Sequence, residues 1–154
     1  MKKENIIKYG TPILGVILVA LLGTIFTNMG MSWFKTLQRP TEWIKDFIIP
    51  IVWTIIYSLF TIFLLYLVKK EKLNKCLFIL LLVNGVLNVL WCLVYFAINT
   101  LLGGLIFIVL NLIASIYLLK EIKKVSHTWW YILCVYPIWL SIATCLNLAT
   151  WILN

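Results

Sequence analysis

Five long apolar runs limit what this chain can fold into. They cover about residues 9–29, 47–68, 76–98, 102–119 and 129–153. Each run has the length of roughly 17–25 residues that an α-helix needs to cross a bilayer. Membrane-spanning β-strands would be roughly 9–11 residues long and would alternate in polarity, and these runs do not alternate. The sequence therefore predicts an all-α integral membrane protein, a bundle of five transmembrane helices.

The composition agrees with one membrane domain over residues 1–154. The chain is 64% hydrophobic and 12% charged, with a mean hydropathy of +1.06. Soluble domains are about 45–50% apolar and about 25% charged. Lys2, Lys3 and Lys8 resemble the basic start of a signal peptide, but the apolar run after them is too long and has no Ala-x-Ala cleavage pattern. We therefore expect a membrane helix there.

The net charge of +8 is concentrated at the ends of the apolar runs. Ten lysines fall in the N-terminal segment and in connections 69–75 and 120–128, against three basic residues in the connection 30–46. The positive-inside rule then predicts a cell-membrane protein with a cytoplasmic N-terminus and an external C-terminus. Because no basic stripe follows a helix face, no nucleic-acid partner is expected; the basic ends would meet the lipid bilayer.

The connection 30–46 is the only long one, and it carries Trp33 and Trp43. A long irregular segment between packed elements is usually a lid, a binding loop or disorder. Disordered segments are poor in aromatic residues. The sequence therefore predicts a lid that caps a pocket in the outer half of the bundle.

Three tryptophans away from the ends of their spans nominate the pocket. At about 1.5 Å per residue, Trp53 and Trp91 would lie roughly 9 and 11 Å below the outer ends of their helices, with Trp139 nearer the midplane. On the third span, one stripe at helical spacing holds Asn84, Asn88, Trp91 and Tyr95. An amide in hydrocarbon needs a partner, so this stripe is expected to face the bundle.

Both a packing role and a ligand role remain open for these residues. Polar residues inside spans more often join helices than contact ligands, and packing is the expected role of Asn84, Asn111, Ser115 and Thr150. For the three tryptophans, packing in the core and contact with a ligand are two hypotheses of equal weight. Pro50 and Pro137 are expected to begin or kink helices.

Conventional catalytic groups are missing from the sequence. No Asp, Glu, Lys or Arg lies in the middle of a span, which argues against ion-coupled transport. His127 falls in a basic connection, and the four cysteines show no CxxC spacing and are interpreted as small buried hydrophobic residues, so no metal site is expected. Any chemistry would have to use Trp or Tyr side chains, or the reactivity of the ligand itself.

Four segments in order resemble one known family. They are WFKTLQRP at 33–40, VWTIIYS at 52–58, LNVLW at 87–91 and YPIWLSIATCLN at 136–147. On these motifs the chain resembles the TspO/translocator protein family, also called tryptophan-rich sensory proteins or peripheral benzodiazepine receptors, as a bacterial-type member. The resemblance covers nearly the whole chain and includes the five-helix topology.

The resemblance implies a homodimer that binds porphyrins, notably protoporphyrin IX, and drug-like amphiphiles of the benzodiazepine and isoquinoline-carboxamide types, with no cofactor required. Carried over by motif, the pocket under loop 30–46 would take Trp53, Asn88, Trp91, Trp139, Ala143 and Leu146, with Trp33 in the lid and Gly23 and Phe26 from the first helix; Asn84 joins them from its stripe. Lys35, Arg39 and Lys45 are candidates to pair with the porphyrin propionates. The family is also linked to light-dependent porphyrin breakdown, for which Trp53, Trp91 and Trp139 would be the candidate catalytic residues.

Some positions depart from the family pattern. Pro50 is one residue earlier than in the usual Pro-x-Trp, and Val89 replaces a tryptophan. The C-terminal end, LNLATWILN, lacks the Tyr and the Lys or Arg of the family's cholesterol motif, so a sterol is not predicted as the natural ligand. The alternatives to a binding protein are a facilitated transporter of tetrapyrroles and a ligand-modulated, stress-sensing scaffold. The sequence names neither the physiological ligand nor the dimer interface.

Overall fold

The computed structural model describes the backbone of residues 3–154 and the side chains from Tyr9 onward. Within that range the chain is helical and contains no strand. The elements are α1 (Lys3–Met29), α2 (Met31–Phe34), α3 (Ile48–Lys69), α4 (Lys75–Cys92), a π-helical turn (Leu93–Ala97), α5 (Leu101–Val125), α6 (His127–Leu133) and α7 (Val135–Leu153). Lys2 and the side chains of Lys3 and Lys8, which entered the charge count, lie outside the described residues.

Five helical segments are long and apolar enough to span a membrane, which confirms the predicted fold class. They are Tyr9–Met29, Ile48–Lys69, Lys75–Ala97, Leu101–Val125 and His127–Leu153. Large apolar side chains cover the outside of the bundle; Leu18, Ile55 and Ile106 are each about half exposed. Such a surface is stable against lipid tails and costly in water.

The fourth span is longer than the apolar run predicts. The run ends near Leu119, but α5 continues to Val125, so Lys120, Lys123 and Lys124 lie on a helix. Leu118 and Ile122 are fully buried one turn apart, so the core continues past the end of the run. The lysines follow the helix because their ammonium groups reach aromatic faces, Lys120 over Tyr117 and Lys123 over Trp130, at 5.0 and 4.8 Å from the ring centroids.

The fifth span is divided into two helices at Cys134. Pro137 has no N–H to donate to the carbonyl of Leu133, and its ring crowds that carbonyl, so the α-helix breaks between α6 and α7. Pro50 acts differently. It lies in the first turn of α3, where the backbone N–H groups have no partner within the helix.

The third span ends in the π-helical turn Leu93–Ala97. Two consecutive rings in this turn, Tyr95 and Phe96, are both buried. Gly104 on α5 lies against this turn, since a Cβ there would fall 2.2 Å from Cδ2 of Tyr95.

Two hydrophobic clusters form the interior. The outer cluster, on the side of residues 30–46, contains Trp91, Tyr95, Phe96 and Trp139; the inner cluster contains Phe63, Leu67, Leu118 and Ile122. The expectation of four buried cysteines was wrong for two of them. Cys76 and Cys145 are exposed, because each lies on an outward face of its helix, whereas Cys92 is buried.

Candidate functional site

The segment 30–46 is a cap with its own local structure rather than an irregular loop. It begins at Gly30, where a Cβ would lie 1.9 Å from the carbonyl oxygen of Phe96, so only glycine allows the chain to cross the third span this closely. The short helix α2 follows. Trp33 and Phe34 then pack edge-on against Tyr95, with ring centroids 5.8 and 6.2 Å away. Trp43 is mostly exposed.

An ion pair holds the cap together. The guanidinium of Arg39 donates to both carboxylate oxygens of Asp46, at 2.6 and 3.1 Å, and lies 4.1 Å from the ring centroid of Phe34. The hydrogen bond from Arg39 lowers the pKa of Asp46 from its ordinary value. Arg39 was a candidate partner for a ligand carboxylate, but the structure commits its two terminal nitrogens to Asp46. Its Nε is buried without a partner and Arg39 lines the cavity beneath the cap, so Arg39 stays a candidate together with Lys35 and Lys45, which do not line that cavity.

The cap is also fastened to the end of α7. The backbone N–H of Gln38 donates to Oδ1 of Asn154 at 3.1 Å, and Nδ2 of Asn154 donates to the Gln38 carbonyl at 2.9 Å. The same Nδ2 lies 2.8 Å from the carbonyl of Thr150 and donates to it. Asn154 therefore links the cap to the helix that forms one wall of the cavity below.

Beneath the cap lies an enclosed space that we call the outer cavity. Its walls come from α3, α4 and α7, and they include Trp53, Trp91, Trp139, Ala143 and Leu146. The three tryptophans predicted to lie near one depth therefore line the same cavity. Whether these five residues bind a ligand stays a prediction.

The aromatic rings of the outer cavity form a stacked series. Trp53 lies between Tyr57 and Trp91, at centroid distances of 5.7 and 6.1 Å, and Trp91 continues to Tyr95 at 6.0 Å. The planes of successive rings differ by 28–29°. Aromatic rings in this offset arrangement attract one another and other flat aromatic molecules.

The two buried indole N–H groups of the outer cavity differ in their partners. Nε1 of Trp91 donates to Oδ1 of Asn147 at 3.2 Å. Nε1 of Trp139 is buried without a hydrogen-bond partner. Burying an unpaired donor costs about 1–3 kcal/mol, so this group is available to an acceptor that a ligand brings.

Asn147 is a cavity residue that the sequence argument missed. It lines the outer cavity and orients Trp91 through the bond just described, while its own Nδ2 donates to the carbonyl of Ala143 at 2.8 Å. The signal was present, because Trp139, Ala143 and Asn147 recur at i, i+4 and i+8 on one face of α7.

The outer cavity is small. Its volume is about 70 Å³, whereas pockets that hold drug-sized ligands are about 300–1,000 Å³. A ligand the size of a tetrapyrrole therefore fits only if segment 30–46 moves away from the helices.

The remaining predicted site residues lie elsewhere. Gly23 is buried where α1 meets Cys92 and Tyr57, with distances of 3.4 and 3.8 Å from the position of a Cβ. Phe26 and Trp33 pack against the outer cluster without lining the cavity. Asn84 and Asn88 are buried, as their stripe predicts, but they line a second space.

This second space, the inner cavity, lies between α1, α3 and α4 and has a volume of about 640 Å³. It reaches toward the connection between α3 and α4, on the side away from the cap, where Leu73 lines it. Within it the hydroxyl of Tyr57 donates to Oδ1 of Asn88 at 3.4 Å. Two glycines line it, Gly15 on α1 and Gly85 on α4, and their lack of a side chain leaves space between these helices. The sequence argument did not find this cavity.

Among the side chains that the structure describes, from Tyr9 to Asn154, no group of three or more His, Cys, Asp or Glu residues is placed to share a metal ion.

Five helices long and apolar enough to span a membrane, with a capped cavity lined by tryptophans, define an integral membrane protein. The chain belongs to the TspO/MBR family, whose profile matches residues 12–152. It is 30% identical to the tryptophan-rich protein TspO of Chlorobaculum tepidum over 141 residues, which is 88% of this chain and 89% of that protein. It is 28% identical to the tryptophan-rich protein TspO of Archaeoglobus fulgidus over 97% of this chain and 99% of that protein. It is 25% identical to the protein CrtK of Rhodobacter capsulatus over 80% of this chain and 79% of that protein.

Proposed function

We propose that this protein binds porphyrins, with protoporphyrin IX as the reference ligand, in the outer cavity. The observation that carries the proposal is the buried, unpartnered Nε1 of Trp139 beside the stacked rings of Trp53 and Trp91. A porphyrin offers a broad aromatic face to the rings and carboxylates to the indole N–H. Arg39, which lines the cavity and has an unpaired Nε, and Lys35 and Lys45 on the cap supply positive charge for the propionates.

The same features suit a second set of ligands. Drugs of the isoquinoline-carboxamide and benzodiazepine types combine flat aromatic rings with an uncharged carbonyl acceptor. Their carbonyl would accept from Nε1 of Trp139, and their rings would stack on Trp53. Ala143, a small residue one turn from Trp139, leaves room for a substituent.

Binding requires the cap to open, because the closed cavity of about 70 Å³ is too small. The Gln38–Asn154 contact with α7 has to yield, and the Arg39–Asp46 pair, which lies within the cap, stabilises the closed shape of the segment. Association is therefore expected to be slower than diffusion and to depend on these contacts.

The direct test is quenching of tryptophan fluorescence by protoporphyrin IX on protein in nanodiscs. The double variant Trp53→Phe, Trp139→Phe should lose affinity by about tenfold or more, since it shortens the stack and removes the unpaired donor. Trp43→Phe is the matched control, because Trp43 is mostly exposed and does not line the outer cavity. Equal affinity in the double variant and in the control would reject this site.

The stacked rings also motivate a test for light-dependent porphyrin breakdown. The Soret band of bound protoporphyrin would be followed under illumination in the unsubstituted protein and in the Trp53→Phe, Trp139→Phe variant, at equal occupancy. Faster loss in the unsubstituted protein would show that these tryptophans take part, and equal loss would mean binding alone. Flux of porphyrin across liposomes, compared with plain lipid, separates facilitated transport from binding.

The assembly and topology that we propose are a homodimer in the cell membrane, with a cytoplasmic N-terminus and the cap outside. The support is the family resemblance and the distribution of lysines, with Lys69, Lys70 and Lys72 on the inner side. Mass measurement in detergent tests the dimer. Reporter fusions at the two termini test the topology.

A further inference from the structure

The inner cavity holds a buried polar atom that the protein itself does not satisfy. Asn84 is only 4% exposed, and its Oδ1 has no hydrogen-bond partner. Its Nδ2 donates to the carbonyl of Leu80 at 2.8 Å. This bond fixes the orientation of the amide, because the reversed orientation would place two acceptor oxygens together. Asn84 lines the inner cavity, and its buried Oδ1 is an acceptor of that lining without a hydrogen-bond partner.

The rest of the lining decides what can fill the cavity. Its polar side chains are those of Thr11, Tyr57, Asn84, Asn88 and Tyr136, and among the side chains described from Tyr9 onward no Asp, Glu, Lys or Arg lines it. A phosphate or carboxylate head group would lose its hydration without gaining a countercharge, which costs several kcal/mol. The occupant has to be uncharged, mostly apolar, and able to donate a hydrogen bond.

The cavity is also reached from the bilayer. Leu18 and Leu82 line it, and each is more than half exposed on the outside of the bundle. Gly15 opens the α1 side, since a Cβ at Gly15 meets no atom within 4 Å. A lipid-dissolved molecule can therefore enter between α1 and α4 without crossing the cap.

We propose that the inner cavity is a second binding site, independent of the outer cavity, for an uncharged lipid of the long-chain alcohol class. The hydroxyl of the ligand donates to Oδ1 of Asn84, and its chain lies along the apolar lining and leaves the protein between Leu18 and Leu82. The volume of about 640 Å³ lies in the range of about 300–1,000 Å³ that holds such ligands.

The test is photolabelling in phosphatidylcholine nanodiscs with hexadecanol that carries a diazirine on its chain, followed by mapping of the labelled peptides. Label is expected on α1 and α4. Unlabelled hexadecanol should compete about tenfold better than hexadecyl methyl ether, which has the same chain but no donor. Equal competition by the ether, or label confined to the outer cavity, would overturn the proposal.

Two variants and a matched control assign the site. Asn84→Leu removes the acceptor and should reduce labelling about tenfold. Gly15→Leu fills the cavity and leaves Asn84 in place, and it should also abolish labelling. Gly10→Leu is the control, because a Cβ at Gly10 likewise meets no atom within 4 Å but Gly10 does not line the cavity. Melting temperatures identify folded variants.

Unchanged labelling in Asn84→Leu, or equal labelling in Gly15→Leu and Gly10→Leu, would overturn the site. Cross-links between two protein chains at α1 and α4, in place of lipid label, would identify a second copy as the occupant and would also overturn it.

Discussion

Gln38 and Asn154 exchange two hydrogen bonds, so the middle of the cap is joined to the end of α7. The backbone N–H of Gln38 donates to Oδ1 of Asn154, and Nδ2 of Asn154 donates back to the carbonyl of Gln38, at 3.1 and 2.9 Å. Only the backbone of Gln38 takes part in these two bonds. The contact therefore depends on the identity of the residue at 154 and not on that at 38.

We predict that Asn154→Ala speeds ligand uptake. Losing two exposed hydrogen bonds lowers the stability of the closed cap by about 1 kcal/mol, which gives roughly fivefold faster association. Stopped-flow quenching by protoporphyrin IX measures the rate. Gln38→Ala is the control, since it keeps both backbone groups and should leave the rate unchanged. A fast phase in both variants, or in neither, would contradict the fastening role of Asn154.

The second prediction concerns the acid side of the pH range. The pKa of Asp46 is below its ordinary value of 3.8, chiefly through the hydrogen bond from Arg39. A lowered carboxyl pKa stabilises the closed cap fully above about pH 4–5, and this contribution is lost as the pH falls through the pKa of Asp46. We expect uptake to be independent of pH near neutrality and to rise below about pH 4.

Asp46→Asn tests the origin of that pH dependence. The variant keeps the shape of the side chain and removes its charge, so it should show fast uptake at pH 7 and no further rise in acid. Glu42→Gln removes a carboxylate of the same segment outside the Arg39 pair and should behave like the unsubstituted protein. A rise in acid that persists in Asp46→Asn would assign the effect to another group.

The sequence predicted that three tryptophans lie at one level of the bundle, but it did not predict the neighbours around the bundle axis. The position of Trp53, Trp91 and Trp139 within their spans gives their depth, and the three rings do share one cavity. Asn84 lies on the same stripe as Trp91, seven residues or roughly 10 Å away along the helix. That distance takes it into the inner cavity, where α1 rather than the cap is its neighbour.

Contacts between distant parts of the chain could not be predicted from the sequence for a similar reason. Nothing local distinguishes Asn154 until the cap is placed beside it. The break at Cys134 follows from Pro137, and the length of α5 follows from the buried Leu118 and Ile122. Both features therefore have local causes in the sequence. The small volume of the outer cavity depends on side-chain packing, which the hydrophobic periodicity of the sequence does not determine.

The third prediction uses the close approach at Gly30. A Cβ at this position would lie 1.9 Å from the backbone oxygen of Phe96, which cannot rotate away. Gly30→Ala should therefore lower stability by about 1–3 kcal/mol and displace the start of the cap. Thermal unfolding in detergent measures the loss. Gly10→Ala, where a Cβ meets no atom within 4 Å, should be neutral or slightly stabilising in a helix.

The last prediction contrasts the two buried tryptophans whose N–H groups differ. Trp91→Phe removes the donor that satisfies Oδ1 of Asn147 and should cost about 1–3 kcal/mol of stability in the absence of ligand. Trp139→Phe removes a donor that is already unpaired, so much of the packing loss should be offset and the melting temperature should fall less. The order reverses for binding, because only Trp139 has an N–H free for a ligand acceptor. Stabilisation by saturating protoporphyrin IX, measured as the shift in melting temperature, should therefore shrink more in Trp139→Phe than in Trp91→Phe. A larger loss of ligand stabilisation in Trp91→Phe would show that stacking, rather than the free N–H, governs affinity.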